Sequence, residues 1–138
     1  MAEFTLDLSS IVDELDDDIS ETIVRRFALG VYTRVQKRSP VDTGLFRHSW
    51  RASVDAPDET MQSGGSSAGL GSVDSAALSD ATSSIEGFSI LNNKSIYITN
   101  VQPYANKLEE GSSSQAPSGV AGISLREEAE AFNQYGGN

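Results

Sequence analysis

Apolar side chains recur about every four positions in residues 10–39, which is the longest regular pattern of the chain. The stripe consists of Ile11, Leu15, Ile19, Ile23, Phe27, Val31 and Val35, widened by Val12, Val24 and Ala28. This spacing predicts one long amphipathic helix that packs on a broad side. The helix should end at Ser39, because a residue before proline is pushed out of the helical region. At about 1.5 Å per residue it would be roughly 45 Å long, which suggests contact with neighbouring subunits.

The stretch RSPVDTGLFRHSW, residues 38–50, interrupts the helical pattern with a predicted turn. Asp42 and Thr43 can bond to local backbone N–H groups, and Gly44 accepts backbone angles that other residues avoid. Residues 45–49 fit a single helical turn. This stretch also contains the only His and the only Trp of the chain, so it is the first place to look for chemistry.

Two strands are predicted beyond this turn, at residues 50–54 and 96–100. In the first, Trp50, Ala52 and Val54 share one side; in the second, Ile96 and Ile98 do so.

Two further helices are expected towards the C-terminus. Residues 102–111 begin one with Pro103 in its first turn and end it with Gly111 as its cap, and residues 120–132 form the other.

Residues 63–84 are dominated by small side chains, since sixteen of these 22 residues are Gly, Ser or Ala. Such a stretch buries little apolar surface to offset its ordering entropy, so we expect a flexible insertion at about residues 56–84. Its second part could form a weak helix with Val73, Ala77, Ala81 and Ile85 on one face. The chain as a whole, residues 1–138, is predicted to be one α+β domain. A long N-terminal helix and shorter helices would pack on a small, mostly antiparallel sheet.

Charge is distributed in blocks along a chain whose net charge is −10. Residues 1–24 hold eight acids and no Lys or Arg, whereas residues 25–51 hold seven Lys or Arg and one acid. The blocks match the dipole of the long helix, and the acidic and basic halves could also pair between adjacent copies. An acidic surface repels duplex phosphate, which disfavours general nucleic-acid binding.

Candidate chemistry is sparse. The chain has no cysteine and one histidine, so we expect no disulfide, no metal site and no cofactor. Ser49, His48 and Asp42 invite comparison with a catalytic triad, but side chains adjacent in sequence diverge in both helices and strands. His48 is therefore poorly placed as a base for Ser49, and we expect a polar surface or interface residue and no enzyme. The N-terminus lacks the pattern of a signal peptide, and no apolar run is long enough to cross a bilayer.

Three segments taken in order resemble the tail-completion, or head–tail joining, proteins of tailed bacteriophages, also described as minor tail or neck proteins. They are SPVDTGLFRHSW, then YITNVQPYANKLEEGSSSQAPSGV after a strand, and a final acidic–apolar helix. Glu110 and the Phe46–Arg47 order depart slightly from the family pattern. The resemblance covers most of the chain. The family pattern, transferred to the matching positions of this sequence, marks residues of a structural turn or a possible ring interface. These are Pro40, Asp42, Thr43, Gly44, Arg47, Trp50, Asn100, Pro103, Tyr104, Leu108, Glu109 and Gly111.

The resemblance implies a structural virion protein made in the bacterial host cytoplasm. Copies would form a ring, six being expected, at the neck between capsid and tail tube. Its partners would be the tail-terminator protein and the head-completion (stopper) or adaptor proteins, and phage DNA would pass through without sequence-specific binding or membrane contact. The alternatives are a tail-terminator ring that caps the tube and, in another class, an acidic DNA-mimic inhibitor. The basic block at residues 25–51 argues against the mimic.

Overall fold

The computed structural model describes residues 4–7, 21–41, 44–65, 69–103, 105–111, 115–116 and 119–135. Their elements in chain order are β1 (Phe4–Asp7), α1 (Glu21–Arg38), α2 (Leu45–His48), β2 (Arg51–Val54), α3 (Ser75–Glu86), β3 (Ile96–Asn100), α4 (Ala105–Glu109) and α5 (Ala121–Tyr135). The chain is an α+β protein, as predicted from the sequence. No helix in this described part is both long and apolar enough to cross a membrane.

The three strands form one antiparallel sheet in the order β1–β3–β2. Ile98 at the centre of β3 pairs with Leu6 on one side and with Ala52 on the other. Both β2 and β3 lie where the alternation of side chains predicts them. Strand β1 was not predicted, because a four-residue strand has too short a pattern to be recognised and depends on β3 for its pairing.

Helix α1 supplies one side of the hydrophobic core. Its fully buried side chains include Ala28, Val31, Tyr32 and Val35, and it packs against both α3 and α5. It ends at Arg38, directly before the Ser39–Pro40 pair, as the sequence predicts. The first part of the predicted helix, residues 10–20, lies outside the described residues.

Helix α3 corrects the expectation that the small-residue stretch adds little to the core. Ala77, Ala81 and Ile85 are each at most 2 % exposed, and they share the face proposed from the sequence. Small side chains let the α3 backbone come close to its neighbours, so that the Tyr32 hydroxyl reaches the Ala77 carbonyl at 3.3 Å. The second part of the predicted insertion, from Ser75 onwards, is therefore a core helix. The flexibility of the part before it stays a prediction.

Candidate functional site

The turn after α1 has the geometry that its glycine predicts. Gly44 has φ 76°, in the left-handed region, and its carbonyl accepts the first bond of α2 from His48 N–H at 3.0 Å. Pro40 is also buried. Asp42 and Thr43 lie outside the described residues, so the bonds expected of their side chains stay predictions.

We call the turn after α1 together with helix α2 the corner. Trp50, which follows α2, fixes this corner to the end of α1. It is 1 % exposed, and its Nε1–H donates to Ser39 Oγ at 2.9 Å. Its ring meets Phe46 edge to face, with centroids 5.6 Å apart and planes at 72°. Pairs of this geometry add about 0.5–1.5 kcal/mol beyond the burial of their area. Trp50 thus contacts a specific partner on each side, Ser39 and Phe46.

Arg47 is fully buried, although the resemblance marked it as a possible ring contact. Its Nη1 donates to the carbonyls of Gly69, at 2.9 Å, and Ser72, at 3.4 Å. Both carbonyls belong to the connection that leads into α3. Arg47 therefore attaches this connection to the corner, and its guanidinium is not on the surface of the chain.

Gln36 is the centre of a buried hydrogen-bond network that joins α1, the corner and α3. Its Nε2 donates to the Arg47 carbonyl at 2.7 Å and to the Tyr32 hydroxyl at 3.2 Å, and its Oε1 accepts from Asp74 N–H at 2.9 Å. The Tyr32 hydroxyl donates to the Trp50 carbonyl at 2.8 Å. Burial raises the pKa of Tyr32 well above its usual value, despite the opposing effect of Arg51 and Gln36, so the hydroxyl keeps its proton.

The sequence analysis did not identify Gln36 or Tyr32. A signal for both was present, since Val24, Ala28, Tyr32 and Gln36 repeat every four positions along the apolar side of α1. A glutamine in such a row has to find buried partners, because an unpaired buried amide costs about 1–3 kcal/mol.

His48 pairs with Asp74, and Ser49 faces elsewhere. His48 Nδ1 lies 3.0 Å from Asp74 Oδ2, and its Nε2 lies 3.4 Å from Arg51 Nη2. Ser49 Oγ donates to the Leu45 carbonyl at 2.7 Å and accepts from Gln102 Nε2 at 2.9 Å. This geometry agrees with the sequence argument that His48 does not activate Ser49. The imidazole is also partly buried, and the expectation of a polar surface or interface residue stays a prediction.

Asp74 holds His48 while it caps α3. Its Oδ1 accepts from Ala77 N–H at 3.0 Å, which satisfies a free donor of the first helical turn. Burial raises the pKa of Asp74, but the bonds from Ala77 and His48 outweigh it, and the net pKa is below the usual value. Asp74 is therefore ionised at neutral pH, as a helix cap should be. The sequence analysis did not single it out.

A shallow cavity of about 290 Å³ opens beside this pair. Around it, Arg51 donates to Gln62 Oε1 at 2.8 Å and lies 3.5 Å from Asp80. The polar groups at the cavity thus bind each other, and the arrangement joins β2 to the loop that follows it and to α3.

The segment YITNVQPYANKLEEG contacts the segment SPVDTGLFRHSW in the same corner. Asn100 Nδ2 donates to the Phe46 carbonyl at 2.9 Å, and its Oδ1 accepts from Gln102 N–H at 3.1 Å. Leu108 packs partly buried against the core. Pro103 is exposed, and Tyr104 lies outside the described residues.

Glu109, the last residue of α4, caps the start of α5. Its carboxylate accepts from the N–H groups of Val120, Ala121 and Gly122 at 2.7–3.0 Å. A negative charge at this end also favours the dipole of α5. Gly111 ends the turn after α4 with φ 91°, as its predicted capping role requires. Glu109, which the resemblance placed near a subunit contact, thus has an intrachain role.

Several basic side chains of α1 form ion pairs within the chain. Arg25 pairs with Glu21 at 2.8 Å, Arg34 with Glu128 at 2.8 Å, and Arg38 with Glu127. The bond from Arg38 outweighs desolvation and lowers the pKa of Glu127. The first pair lies within α1, and the other two join α1 to α5. These charges are therefore already paired inside the chain and are less available for the contacts between copies that the charge blocks suggested.

No group of three or more His, Asp or Glu side chains suited to a metal occurs within the ranges that the structure describes. No protein-family profile matches the chain. No curated protein and no solved structure matches it either. The resemblance to tail-completion proteins therefore stays a prediction from the motif residues.

Proposed function

We propose that this chain is a ring-forming subunit of a bacteriophage neck, which joins the tail tube to the capsid connector and lets DNA pass. Its partners would be further copies of itself, six in a ring, the tail-terminator protein, and the head-completion or adaptor proteins. It would be a structural virion component and would catalyse no reaction.

The observation that carries the proposal is the meeting of two motif segments in one buried corner. Asn100 and Phe46 are 54 positions apart in sequence, yet the Asn100 amide bonds to the Phe46 carbonyl. Gln102 and Ser49 form a second bond of this kind. Two segments that resemble the family by motif are thus bonded to each other within one chain. Such an arrangement is expected when the motifs maintain the shape of an assembly subunit.

Large apolar side chains on the surface offer places for docking. Met61 and Leu70 are 51 % and 53 % exposed in the connection between β2 and α3, and Leu91 is 90 % exposed before β3. Single exposed apolar residues are common on monomers. In a ring we expect neighbouring proteins to cover these three side chains, which makes them natural positions for crosslinking or labelling.

The charge of the chain suits a DNA conduit. With a net charge of −10, a ring of several copies would provide few contacts that neutralise phosphate, and log affinity for DNA depends on the number of such contacts. A genome could slide through the ring without being retained. This reasoning supports passage of DNA and argues against storage or sequence-specific binding.

Electron microscopy of particles made without this protein tests the proposal. Deletion of the gene should give tails of normal length that fail to join heads, and expression of the protein in trans should restore joining. Tails of uncontrolled length would instead identify the tail terminator. Intact virions would refute both neck roles.

The mass of the purified protein, alone and with isolated tails, provides a second test. A ring-sized increase on tails is expected. Phage infectivity should also survive His48→Ala, because no step of the proposed role needs an imidazole base. Loss of infectivity with a stably folded His48→Ala protein would contradict that part of the proposal.

A further inference from the structure

A second cavity, of about 440 Å³, lies on the outer side of α1 next to α5. Arg26, Gly30, Thr33 and Lys37 line it, spaced so that they share one side of the helix. Arg34 and Glu128 form its border with α5. We call this cavity the basic groove.

Two cations of the basic groove have no ion pair within the described part of the chain. Arg34 is engaged by Glu128, whose carboxylate is so close to Gly30 that a Cβ there would collide with it. Arg26 and Lys37 are exposed, and neither pairs with a described acid. They are 11 residues apart on α1, or roughly 16 Å along the axis. The groove thus presents a positive charge at each end.

The sequence contains a segment of opposite charge. Residues 13–18, DELDDD, carry five acids and no base, and they lie outside the described residues. The periodicity of residues 10–39 predicts that this acidic segment continues the axis of α1. A straight helix cannot fold back on itself, so a segment that continues the helix would not reach the groove of its own chain. The groove of another copy is then the nearest complementary surface.

We propose that the basic groove of one copy receives the acidic segment, residues 13–18, of a second copy. The inference rests on the proposed ring and identifies the surface through which its subunits associate. Exposed ion pairs are individually weak and are screened by salt. They fix orientation and register more than affinity, so the contact should be salt-sensitive and should set the order of copies around the ring.

Duplex DNA is a poorer occupant of the groove. Two carboxylates, Glu127 and Glu128, lie at its border, and Arg26 and Lys37 are the cations that remain for phosphate. Affinity for duplex DNA increases with the number of phosphates neutralised. A helical acidic segment needs fewer cations, so it fits the groove better.

Cysteine crosslinking tests the contact directly, because the natural chain has no cysteine. The variants Asp17→Cys and Lys37→Cys, carrying tags of different mass, are mixed at the highest soluble concentration and oxidised. A crosslinked heterodimer is expected, with a yield several-fold higher than for Asp17→Cys mixed with Ser79→Cys. Ser79 is exposed on α3 and outside the groove, so it controls for random collision. High salt should reduce the yield.

Equal yields in the two mixtures would overturn the inference, as would the absence of a heterodimer. A disulfide formed only within one chain of the double variant Asp17→Cys/Lys37→Cys would also overturn it, since the acidic segment would then serve its own groove. Duplex binding by the wild type that Lys37→Glu abolishes would assign the groove to DNA and equally refute the inference.

Reversing the charge of Lys37 tests the groove contact independently of the neck role. Lys37→Glu should reduce self-association several-fold, whereas Arg126→Glu, which changes an exposed cation on α5 outside the groove, should leave it unchanged. Combining Lys37→Glu with Asp17→Lys should restore it. If Lys37→Glu and Arg126→Glu behave alike while rings still form on tails, the groove contact is wrong and the neck role stands. If no ring forms on tails, the neck role itself fails.

Discussion

Gln36 offers the most stringent test of how the corner is held together. Its amide is fully buried and satisfies the Arg47 carbonyl and the Asp74 N–H, which belong to two other parts of the fold. Gln36→Met keeps the length of the side chain but removes its polar groups. Gln36→Ala removes the polar groups and also leaves a cavity.

The magnitude follows from the groups left behind. A buried donor or acceptor that loses its partner costs about 1–3 kcal/mol, and Gln36→Met leaves one of each. We therefore expect the free energy of unfolding to fall by about 2–6 kcal/mol for Gln36→Met, on the same basis. Gln36→Ala should cost about 1 kcal/mol or more in addition, because the surrounding side chains collapse only partly into the space. Such a loss is a large part of the stability of an average domain.

Urea unfolding followed by Trp50 fluorescence measures this loss, because Trp50 is the only tryptophan and is buried in the same corner. Lys37→Ala is the matched control, since Lys37 is the next residue of α1 and is exposed. It should change the unfolding free energy by no more than about 0.5 kcal/mol. A Gln36→Met protein as stable as the Lys37→Ala protein would refute the assignment of Gln36 as the centre of the network.

Three further predictions concern the caps and the turn. Glu109→Ala should lower the unfolding free energy by about 1–2 kcal/mol, because three N–H groups of α5 lose their acceptor; the same measurement on Glu110→Ala, an exposed neighbour, should show little change. Gly44→Ala should cost about 1–2 kcal/mol in thermal or urea unfolding, since a Cβ disfavours the left-handed backbone, whereas Gly69→Ala, with open space around it and no positive φ, should cost less. Asp74→Asn keeps a residue suited to capping but replaces the titratable carboxyl group with an amide. The folded pKa of Asp74 is below its unfolded value of 3.8, so its charge stabilises the fold above that pH, and this contribution is lost as the pH falls through the folded pKa. The variant should therefore show a shallower fall in unfolding free energy below about pH 4 than the wild type, and an unchanged slope would contradict the role of Asp74.

The elements between residues 21 and 135 were largely predictable, and their boundaries show why. Helix α1 ends where Pro40 forbids its continuation, and the left-handed Gly44 permits the turn that follows. Such signals act within a few residues of the backbone, so they can be recognised without knowing the rest of the fold.

The partners of the polar side chains were not predictable in the same way. Arg47 was marked as a structural turn or possible ring-interface position, and its guanidinium is buried against the Gly69 carbonyl, 22 residues away. Glu109 was expected near an interface but caps a helix that begins 12 residues later. Asp74 and Gln36, which meet across 38 positions, were not singled out at all.

The sequence by itself determined the helices, two of the three strands, the turn at Gly44 and the division of charge into blocks, because periodicity and backbone restrictions act locally. Only the tertiary structure decided that β1 joins β3, that α3 belongs to the core, and that Gln36, Asp74 and Glu109 bind groups in other elements. Strand pairing and buried hydrogen bonds depend on which distant segments pack together. That choice is made by the whole fold, since each buried polar group has to find its partner wherever packing places one.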